Sequence, residues 1–442
     1  MSNRIPAALL RKIRDHKARV GVIGLGYVGL PLAVEFARKG YPTVGIDIDE
    51  ERIRSLRAGR SYIPDIPSKA IGPLVREGSL KATTRYDLLR ELDGVMICVP
   101  TPLRKTREPD ISYILAATEA LARHLHRHQV IILESTTYPG TTEEVILPKL
   151  DATGLKVGRD FFLGFSPERI DPGNTAYSTS TIPKVVSGIT PACCRVIHAL
   201  YSQVIQQVIP VSSTKVAEMV KLLENTFRSV NIGLVNELAL MCHRLGVDVW
   251  EVIEAAKTKP FGFMAFYPGP GLGGHCIPID PLYLSWKAKV HGFEPRFIEL
   301  SSQVNAAMPE EVVDRIAQAL NHRGKALKGS WILILGVAYK RDVSDVRESP
   351  ALEIIQQLRR RGARVGYHDP LVPQLSTDSI APALHSVPLS PRAIRKADCV
   401  VIVTDHQAID YQQVVQQARL ILDTRNALRR LRLRAKAKVI RL

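Results

Sequence analysis

The sequence predicts an α/β protein with two Rossmann-like doubly wound domains, joined by a central all-helical domain with one long spine helix. Three observations predict it. Short β-branched runs alternate with helical patterns through the amino-terminal part of the chain, as a parallel sheet covered by helices requires. One uninterrupted helical periodicity then runs from Thr214 to Leu245. Beyond the polar stretch Asn321–Ser330 the alternation returns. The implied domains are residues 1–210, 211–322 and 323–442, in keeping with a chain of 442 residues and the usual size of a folding unit.

In chain order, the expected strands of the first domain are Val20–Ile23, Thr43–Ile46, Gly94–Val99, Val130–Leu133 and Phe161–Phe165. In the middle, Val216, Met219, Val220, Leu223, Phe227, Val230, Leu234 and Leu238 recur at gaps dominated by three and four, which marks a helix. Its length suits a spine between domains or a dimer seam. A Gly- and Pro-dense loop spans Lys259–Pro281, followed by helices over Pro281–His291 and Pro295–Asn321. The last domain reads as strand Trp331–Leu335, helix Pro350–Arg361, and strands Arg364–His368, Cys399–Val403 and Leu420–Leu422.

Composition excludes several classes. Hydrophobic residues make up 45% and charged residues 23%, which is globular rather than disordered or fibrous. The net charge of +17 is concentrated in Arg11–Arg19 and Arg425–Arg441. Such runs form solvated basic faces or attract anions. Aromatics are 6% of the chain and do not interleave with the basic runs, so no nucleic-acid stacking platform is expected. The six cysteines, Cys98, Cys193, Cys194, Cys242, Cys276 and Cys399, form no CxxC pair, so no metal site is expected. No apolar stretch reaches the ~18 residues of a membrane span. The segment Met1–Val20 lacks a secretory pattern. A cytoplasmic protein with reduced thiols is the expectation.

The first chemical motif is a cofactor site. In Gly24-Leu25-Gly26-Tyr27-Val28-Gly29 a GxGxxG follows a strand and opens a helix. Gly24 permits the tight turn, Gly26 lets a pyrophosphate approach the backbone, and Gly29 lets helix and strand pack closely. The helix N-terminus then presents free N–H groups to phosphate. Asp47 ends the next strand, where a carboxylate accepts the ribose hydroxyls and repels a 2′-phosphate. NAD is therefore expected over NADP, with Arg52 close by in sequence. Ligands in open α/β sheets lie beyond the strand carboxyl ends, so Pro100, Thr101, Glu134, Ser135, Thr136 and Thr137 are expected to line the same site. The second α/β domain has Leu335-Gly336-Val337-Ala338 after its strand and lacks the full fingerprint.

The second motif is Gly273-Gly274-His275-Cys276-Ile277-Pro278-Ile279-Asp280. Paired glycines let backbone or ligand come close to a thiol, and a thiolate attacks an aldehyde carbon. A loop cysteine is also compatible with an inert thiol, and His275 with either a structural hydrogen-bonder or a proton carrier. Asp280 is placed to cap the following helix. On the long helix, Glu218, Lys221 and Asn225 share one face. They form either a solvated polar stripe or a cleft-facing pair, Lys221 and Asn225, that binds an oxyanion. After a strand end, Phe165-Ser166-Pro167-Glu168-Arg169 offers Glu168 as a base.

Together these residues resemble the UDP-glucose/GDP-mannose dehydrogenase family across nearly the whole chain. The resemblance rests on Gly21 through Pro31, Ser135-Thr136-Thr137 with Pro139-Gly140-Thr141, and Ser166-Pro167-Glu168-Arg169. It extends over Lys221-Leu222-Leu223-Glu224-Asn225, Gly273-Gly274-His275-Cys276 with Asp280, Leu335-Gly336 through Tyr339-Lys340, and Asp345 through Ser349. It implies a four-electron oxidation of a sugar C6 alcohol with two NAD⁺. Cys276 would form a thiohemiacetal and then a thioester, and Glu168 would activate the hydrolytic water. Lys221 and Asn225 would stabilise the oxyanion, Asp280 would hold Lys221 or a water, and Thr136 would contact the reacting groups. Arg169 and the stretch Tyr267–Gly274, including Gly271, Gly273 and Gly274, would bind the UDP-sugar, with Lys340 and Arg347 reaching it from the third domain. A homodimer or larger homo-oligomer through the central helices is also implied.

Within the family, Tyr267 through Pro281 is similar to the branch acting on UDP-N-acetylhexosamines, whose products feed surface polysaccharides. UDP-N-acetylglucosamine is the first choice of substrate, ahead of UDP-N-acetylmannosamine and UDP-glucose. Ile279 stands where the UDP-glucose branch commonly has Lys, and Phe261–Pro268 shows no counterpart of the Arg which that branch often contributes across subunits. Two other classes are compatible with parts of the sequence. A two-electron β-hydroxyacid dehydrogenase would need neither Cys276 nor a second α/β domain. A non-catalytic nucleotide- or nucleic-acid-binding regulator would be motivated by the charge alone.

Overall fold

The structure is a computed structural model that describes residues 5–442 except 64–65, 105, 107, 172, 174–176, 378–379, 430 and 432–437. It comprises two compact units: Met1–Glu224 with Leu282–Gly292, and Asn225–Pro281 with Phe293–Leu442.

Among the described residues of the first unit, strands β1 (Val20–Ile23), β2 (Thr43–Ile46), β3 (Leu80–Thr83), β4 (Gly94–Ile97), β5 (Val130–Leu133) and β6 (Phe162–Phe165) form one sheet in the order β3-β2-β1-β4-β5-β6. Every pairing is parallel, with Val20 opposite both Thr43 and Gly94. This is the doubly wound order, and the strand sequence reverses between β1 and β4, where the ligand crevice of such sheets lies. All residues of β1, β2, β4, β5 and β6 are buried, whereas in β3, at one edge, Lys81 is exposed and Ala82 half-buried between buried Leu80 and Thr83. Apolar clusters cover both faces, which is why the inner strands read as continuous hydrophobic runs. Two short strands, β7 (Lys184–Val186) and β8 (Val208–Pro210), pair in parallel apart from the sheet. The helix Pro191–Tyr201 between them is capped by Thr190, whose hydroxyl accepts from Cys193 N.

In the second unit, β9 (Trp331–Leu335), β10 (Arg364–His368), β13 (Cys399–Ile402), β14 (Leu420–Asp423) and β15 (Lys438–Arg441) make a parallel sheet in the order β10-β9-β13-β14-β15. A separate antiparallel pair is formed by β11 (Gln374–Thr377) and β12 (Ile380–His385). The helix Pro350–Arg360 starts on Pro at its first turn, capped by the Ser349 hydroxyl, a favourable N-terminal arrangement. It packs with helix Arg296–Asn321 in the larger core of this unit.

The elements expected from sequence are present, with ends shifted by a residue or two, as at Ile97 in place of Val99. Strands β3, β7, β8, β11, β12 and β15 were not anticipated. The helix Thr214–Leu245 forms as expected, and Leu222 and Val235 are buried on it, but many of its large apolar residues do not face a core of this chain. Val216, Met219, Leu223, Phe227, Leu234, Met241 and Leu245 are exposed, while Ala217, Glu218, Lys221, Leu222, Ser229 and Asn236 are buried. Periodicity shows which residues share a helix face, not what covers that face.

Candidate active site

The cofactor end of the first unit is built from β1, β2 and β4. Gly24 follows β1 with φ +89°, and a Cβ there would lie 2.5 Å from the Cys98 carbonyl. A side chain is excluded on both counts. A Cβ on Gly29 would run into the Gly24 carbonyl, whereas the space beside Gly26 is open within 4 Å. The helix begins at Gly29; Leu30 N donates to the Gly26 carbonyl at 3.1 Å and Leu32 N to the Val28 carbonyl at 3.3 Å, while Pro31 carries no N–H. Asp47, at the end of β2, accepts from Leu25 N at 2.7 Å and Asp49 N at 3.0 Å. Arg52 reaches Asp47 at 3.4 Å and Asp49 at 3.2 Å, with its guanidinium over the Tyr62 ring. Tyr27 and Val28 are half-buried, Pro100 is exposed and Thr101 buried. The Tyr283 hydroxyl donates to the Thr101 carbonyl. An open approach at Gly26, a glycine turn running from the strand into a helix and an acid on the adjacent strand are the fittings of a dinucleotide, and the residues present fit NAD.

The segment after β5 is tied to the long helix. Lys221 donates to the Thr136 hydroxyl. One turn earlier, Glu218 accepts from Gly140 N, Thr142 N and the Thr142 hydroxyl at 2.5, 2.9 and 2.7 Å. Burial pushes the Glu218 carboxyl up to about 7, against the pull of those hydrogen bonds. Glu218 is therefore a pin for the 140–142 turn, while Lys221 presents its ammonium at Thr136.

Glu168 sits after β6 in a buried charge cluster. Its Oε1 accepts from Arg169 N and Ile170 N, both at 2.8 Å. Its Oε2 faces Lys184 Nζ at 3.2 Å, and the same ammonium bonds Glu134 Oε2 at 2.8 Å. Tyr201 donates to the other Glu134 oxygen. Burial alone would raise the Glu168 carboxyl, but the Lys184 ammonium and the two amides outweigh it and hold it below the usual range. For Glu134 burial prevails and the carboxyl is raised. Removing one partner of such a buried pair costs about 3–5 kcal/mol because a charge is left uncompensated. Arg169 turns away to Glu224 and the Pro183 carbonyl. Lys184 and Tyr201 were missed by the sequence reading. The available signal was a lysine inside the apolar run Pro183-Lys184-Val185-Val186.

In the second unit, Cys276 is half-buried. Its carbonyl accepts from Ile279 N at 3.1 Å and Asp280 N at 2.8 Å, a tight turn leading into helix Asp280–Val290. Asp280 is the first residue of that helix rather than a residue preceding it. Its carboxylate accepts from Asn225 Nδ2 at 2.6 Å, so Asn225 and Asp280 are brought together. Gly271 and Gly274 have φ of +128° and +86°. A Cβ on Gly273 would meet Tyr339 Cβ and the Glu348 carbonyl, and one on Gly274 would meet the Tyr339 ring. Gly274 N donates to the Arg347 carbonyl at 3.0 Å. The cysteine loop is thus laid against the 339–348 loop that carries Lys340 and Arg347. The Arg347 side chain is exposed and paired with Asp345 at 2.6 Å. Tyr267 stacks on Trp250 and donates to Glu254 at 2.7 Å. Arg425, also missed, is half-buried, donates to the Val403 carbonyl and packs its guanidinium on Gly269.

Three family profiles match in succession: the NAD binding domain of the UDP-glucose/GDP-mannose dehydrogenase family over residues 18–205, its central domain over 215–307 and its UDP binding domain over 333–430. The chain belongs to the UDP-glucose/GDP-mannose dehydrogenase family. It is accordingly an NAD-dependent nucleotide-sugar dehydrogenase. A UDP-N-acetyl-D-glucosamine 6-dehydrogenase of Pseudomonas aeruginosa is 38% identical over 375 residues, 84% of this chain and 86% of the relative. An NDP-N-acetyl-D-galactosaminuronic acid dehydrogenase of Ralstonia nicotianae is 34% identical, covering 92% and 95%. The structure of a UDP-D-ManNAc dehydrogenase from Pyrococcus horikoshii superposes with a TM-score of 0.86 at 33% identity, covering 96% of this chain and 99% of that one. Among the described residues no group of three His, Cys, Asp or Glu could hold a metal ion, and no helix is long and apolar enough to cross a membrane.

Proposed function

We propose that this chain oxidises the C6 alcohol of UDP-N-acetylglucosamine to the uronate in two successive two-electron steps, with Cys276 as covalent nucleophile. The observation that carries the chemistry is the cysteine turn, in which a half-buried thiol follows two glycines that accept no side chain. Bound NAD supplies the hydride acceptor, once for the alcohol and once for the cysteine-bound aldehyde. Gly24, Gly26, Tyr27, Val28, Gly29, Asp47, Arg52, Pro100, Thr101 and Thr136 hold it.

Lys221, through its contact with Thr136, and Asn225, oriented by Asp280, stabilise the oxygen anion that develops at C6. The Cys276 thiolate adds to the aldehyde carbon to give a thiohemiacetal, and loss of hydride leaves a thioester. Water then attacks the thioester carbon and Glu168 takes its proton. The carbon–sulfur bond breaks and the thiolate returns. Overall, alcohol, two NAD⁺ and water give carboxylate, two NADH and three protons. Glu168 and Arg169, the glycine stretch from Tyr267 through Gly271, Gly273 and Gly274, and Lys340 and Arg347 bind the UDP-sugar. The uronate serves surface polysaccharide synthesis.

The choice of an N-acetylglucosamine substrate is supported by the Pseudomonas relative. The likeness to the Pyrococcus structure favours UDP-N-acetylmannosamine as the second reading. A panel of UDP-sugars with NAD⁺, scored by NADH formed per sugar consumed, separates them. The proposed substrate gives a ratio of two and the highest kcat/KM, whereas a ratio of one with an accumulating aldehyde would overturn the reading.

The exposed apolar stripe of the long helix supports a homodimer or larger homo-oligomer, because contiguous exposed apolar patches mark interaction surfaces. Leu223→Glu with Phe227→Glu is expected to lower the mass measured by light scattering to that of a single chain.

A further inference from the structure

We infer that Lys184 is a positioning residue for the hydrolytic base: by sharing its ammonium between Glu134 and Glu168, it fixes the orientation of the Glu168 carboxylate and leaves a single acceptor position on Oε2 for the attacking water. The inference rests on the reading of Glu168 as the base that activates water on the Cys276 thioester.

The geometry carries it. A carboxylate has about four acceptor positions. Two on Oε1 are taken by the Arg169 and Ile170 amides, and Lys184 takes one on Oε2 at 3.2 Å. Among the described residues no further donor is bonded to Glu168, and the remaining position is on the oxygen that Lys184 fixes. Lys184 and Glu168 are both buried, so neither charge is screened by solvent, and charge-assisted bonds in such surroundings set both angle and charge state. Glu134 is the second half of the device. It is closer to Lys184, at 2.8 Å, and competes with Glu168 for the same proton donor. Tyr201 holds Glu134 through its other oxygen, and the Lys184 ammonium lies 5.2 Å from the centre of the Tyr201 ring. Glu168 thus keeps its negative charge in the interior without being fully neutralised by a private cation. A wholly private ion pair would make it a weaker base, and the absence of the lysine would let it protonate.

The charged and titratable groups around Glu168 come from five elements. They are Lys184 on β7, Glu134 after β5, Cys98 after β4, Tyr201 on the helix Pro191–Tyr201, and Lys221 on the long helix. Burial drives the Cys98 thiol and the Tyr201 hydroxyl well above their ordinary values, so both stay neutral near pH 7. Lys184, Lys221 and Glu134 are left to govern Glu168.

Opposite effects of two substitutions follow. An opposite charge within a few ångströms moves a carboxyl by about 1–3 pH units. Lys184→Met is expected to move the acid limb of kcat upward by about one unit or more, with the acyl-enzyme accumulating below it. Glu134→Gln gives Lys184 wholly to Glu168 and is expected to move that limb downward. Lys184→Arg, which retains the cation, is expected to recover most of the wild-type profile. KM for UDP-N-acetylglucosamine is expected to stay within a few-fold in Glu134→Gln.

The experiment is kcat against pH for the full chain with NAD⁺ and UDP-N-acetylglucosamine, with acid-quenched samples weighed by intact-protein mass spectrometry for the sugar adduct. Glu168→Gln is included as the reference. If Glu168→Gln neither slows turnover nor accumulates adduct, the base assignment fails. If it does so while Lys184→Met or Glu134→Gln leaves the limb in place, or both shift it in the same direction, the inference about Lys184 fails on its own. Should Lys184→Met not fold, Glu134→Gln and Lys184→Arg decide it by direction and recovery.

Discussion

The two parallel sheets begin with the same backbone device and put it to different uses. After β1, Gly24 turns at φ +89° beneath the carbonyl that follows β4, and Asp47 from the end of β2 accepts the Leu25 amide. After β9, Gly336 turns at φ +76° beneath the carbonyl of Thr404, and Asp369 from the end of β10 accepts the Val337 and Ala338 amides at 2.7 and 3.2 Å. In the first sheet a helix starts at Gly29, five residues after the turn glycine, and the space beside Gly26 is open. In the second, the helix starts only at Pro350, and the intervening loop carries Tyr339, Lys340 and Arg347.

The two acids differ in the same sense. Asp369 also accepts from Leu371 N, Val372 N and His406 Nε2. With five donors its acceptor positions are filled. The Asp342 amide packs against His406 Nδ1 at 3.0 Å. Asp47 receives two amides and the longer contact from Arg52, fewer donors than Asp369, as the proposed ribose-binding role requires. The glycine turn sets the backbone, and the residues that follow decide whether the turn receives a ligand or supports another loop.

The sharpest way to break this comparison is to load both turns. Gly24→Ala places a Cβ against backbone at a left-handed φ, and NAD binding is expected to fall by about 100-fold or more. Gly336→Ala is expected to destabilise the second unit and leave NAD affinity, measured by calorimetry on the folded fraction, nearly unchanged. Equal losses of NAD affinity would erase the distinction.

The acids come next. Asp369→Ala strands several buried donors and is expected to cost about 2–4 kcal/mol in denaturant unfolding. Asp47→Ala is expected to weaken NAD about tenfold, or 1.4 kcal/mol, with a smaller stability loss. Reversal of that pattern would assign the ligand role wrongly.

The smallest effect is in pH. Burial works to raise the Asp369 carboxyl, but the bonds from His406 and the amides of Val337 and Leu371 prevail and hold it below its ordinary value. A carboxyl lowered on folding stabilises above its unfolded pKa of about 3.9, and that stability is lost as pH falls through the lower folded value. Unfolding free energy is therefore expected to drop below about pH 4, and the Asp369→Asn variant to show less of that drop.

Much of this was legible in the sequence because inner strands are buried on both sides. Val20–Ile23 and Val130–Leu133 are unbroken apolar runs, and Gly24 through Gly29 is a motif whose glycines each have a steric reason. Leu80–Thr83 escaped because exposed Lys81 and half-buried Ala82 interrupt its apolar run, and Lys438–Arg441 because its strand lies within a basic run. Cys276 and Asp280 could be paired from one short stretch. Glu134, Lys184 and Tyr201 could not, since three distant elements deliver them to Glu168 and only tertiary structure brings them together. The long helix was visible, but its exposed stripe was not, since a core and a subunit interface demand the same periodicity.

The most direct measurement of the central claim is the NADH released per UDP-N-acetylglucosamine consumed by Cys276→Ser beside the unaltered chain, with binding of both ligands checked separately. The account predicts two NADH per sugar for the unaltered chain, and for the variant loss of turnover with NAD and UDP-sugar still bound. Two NADH per sugar at an undiminished rate from Cys276→Ser would contradict it.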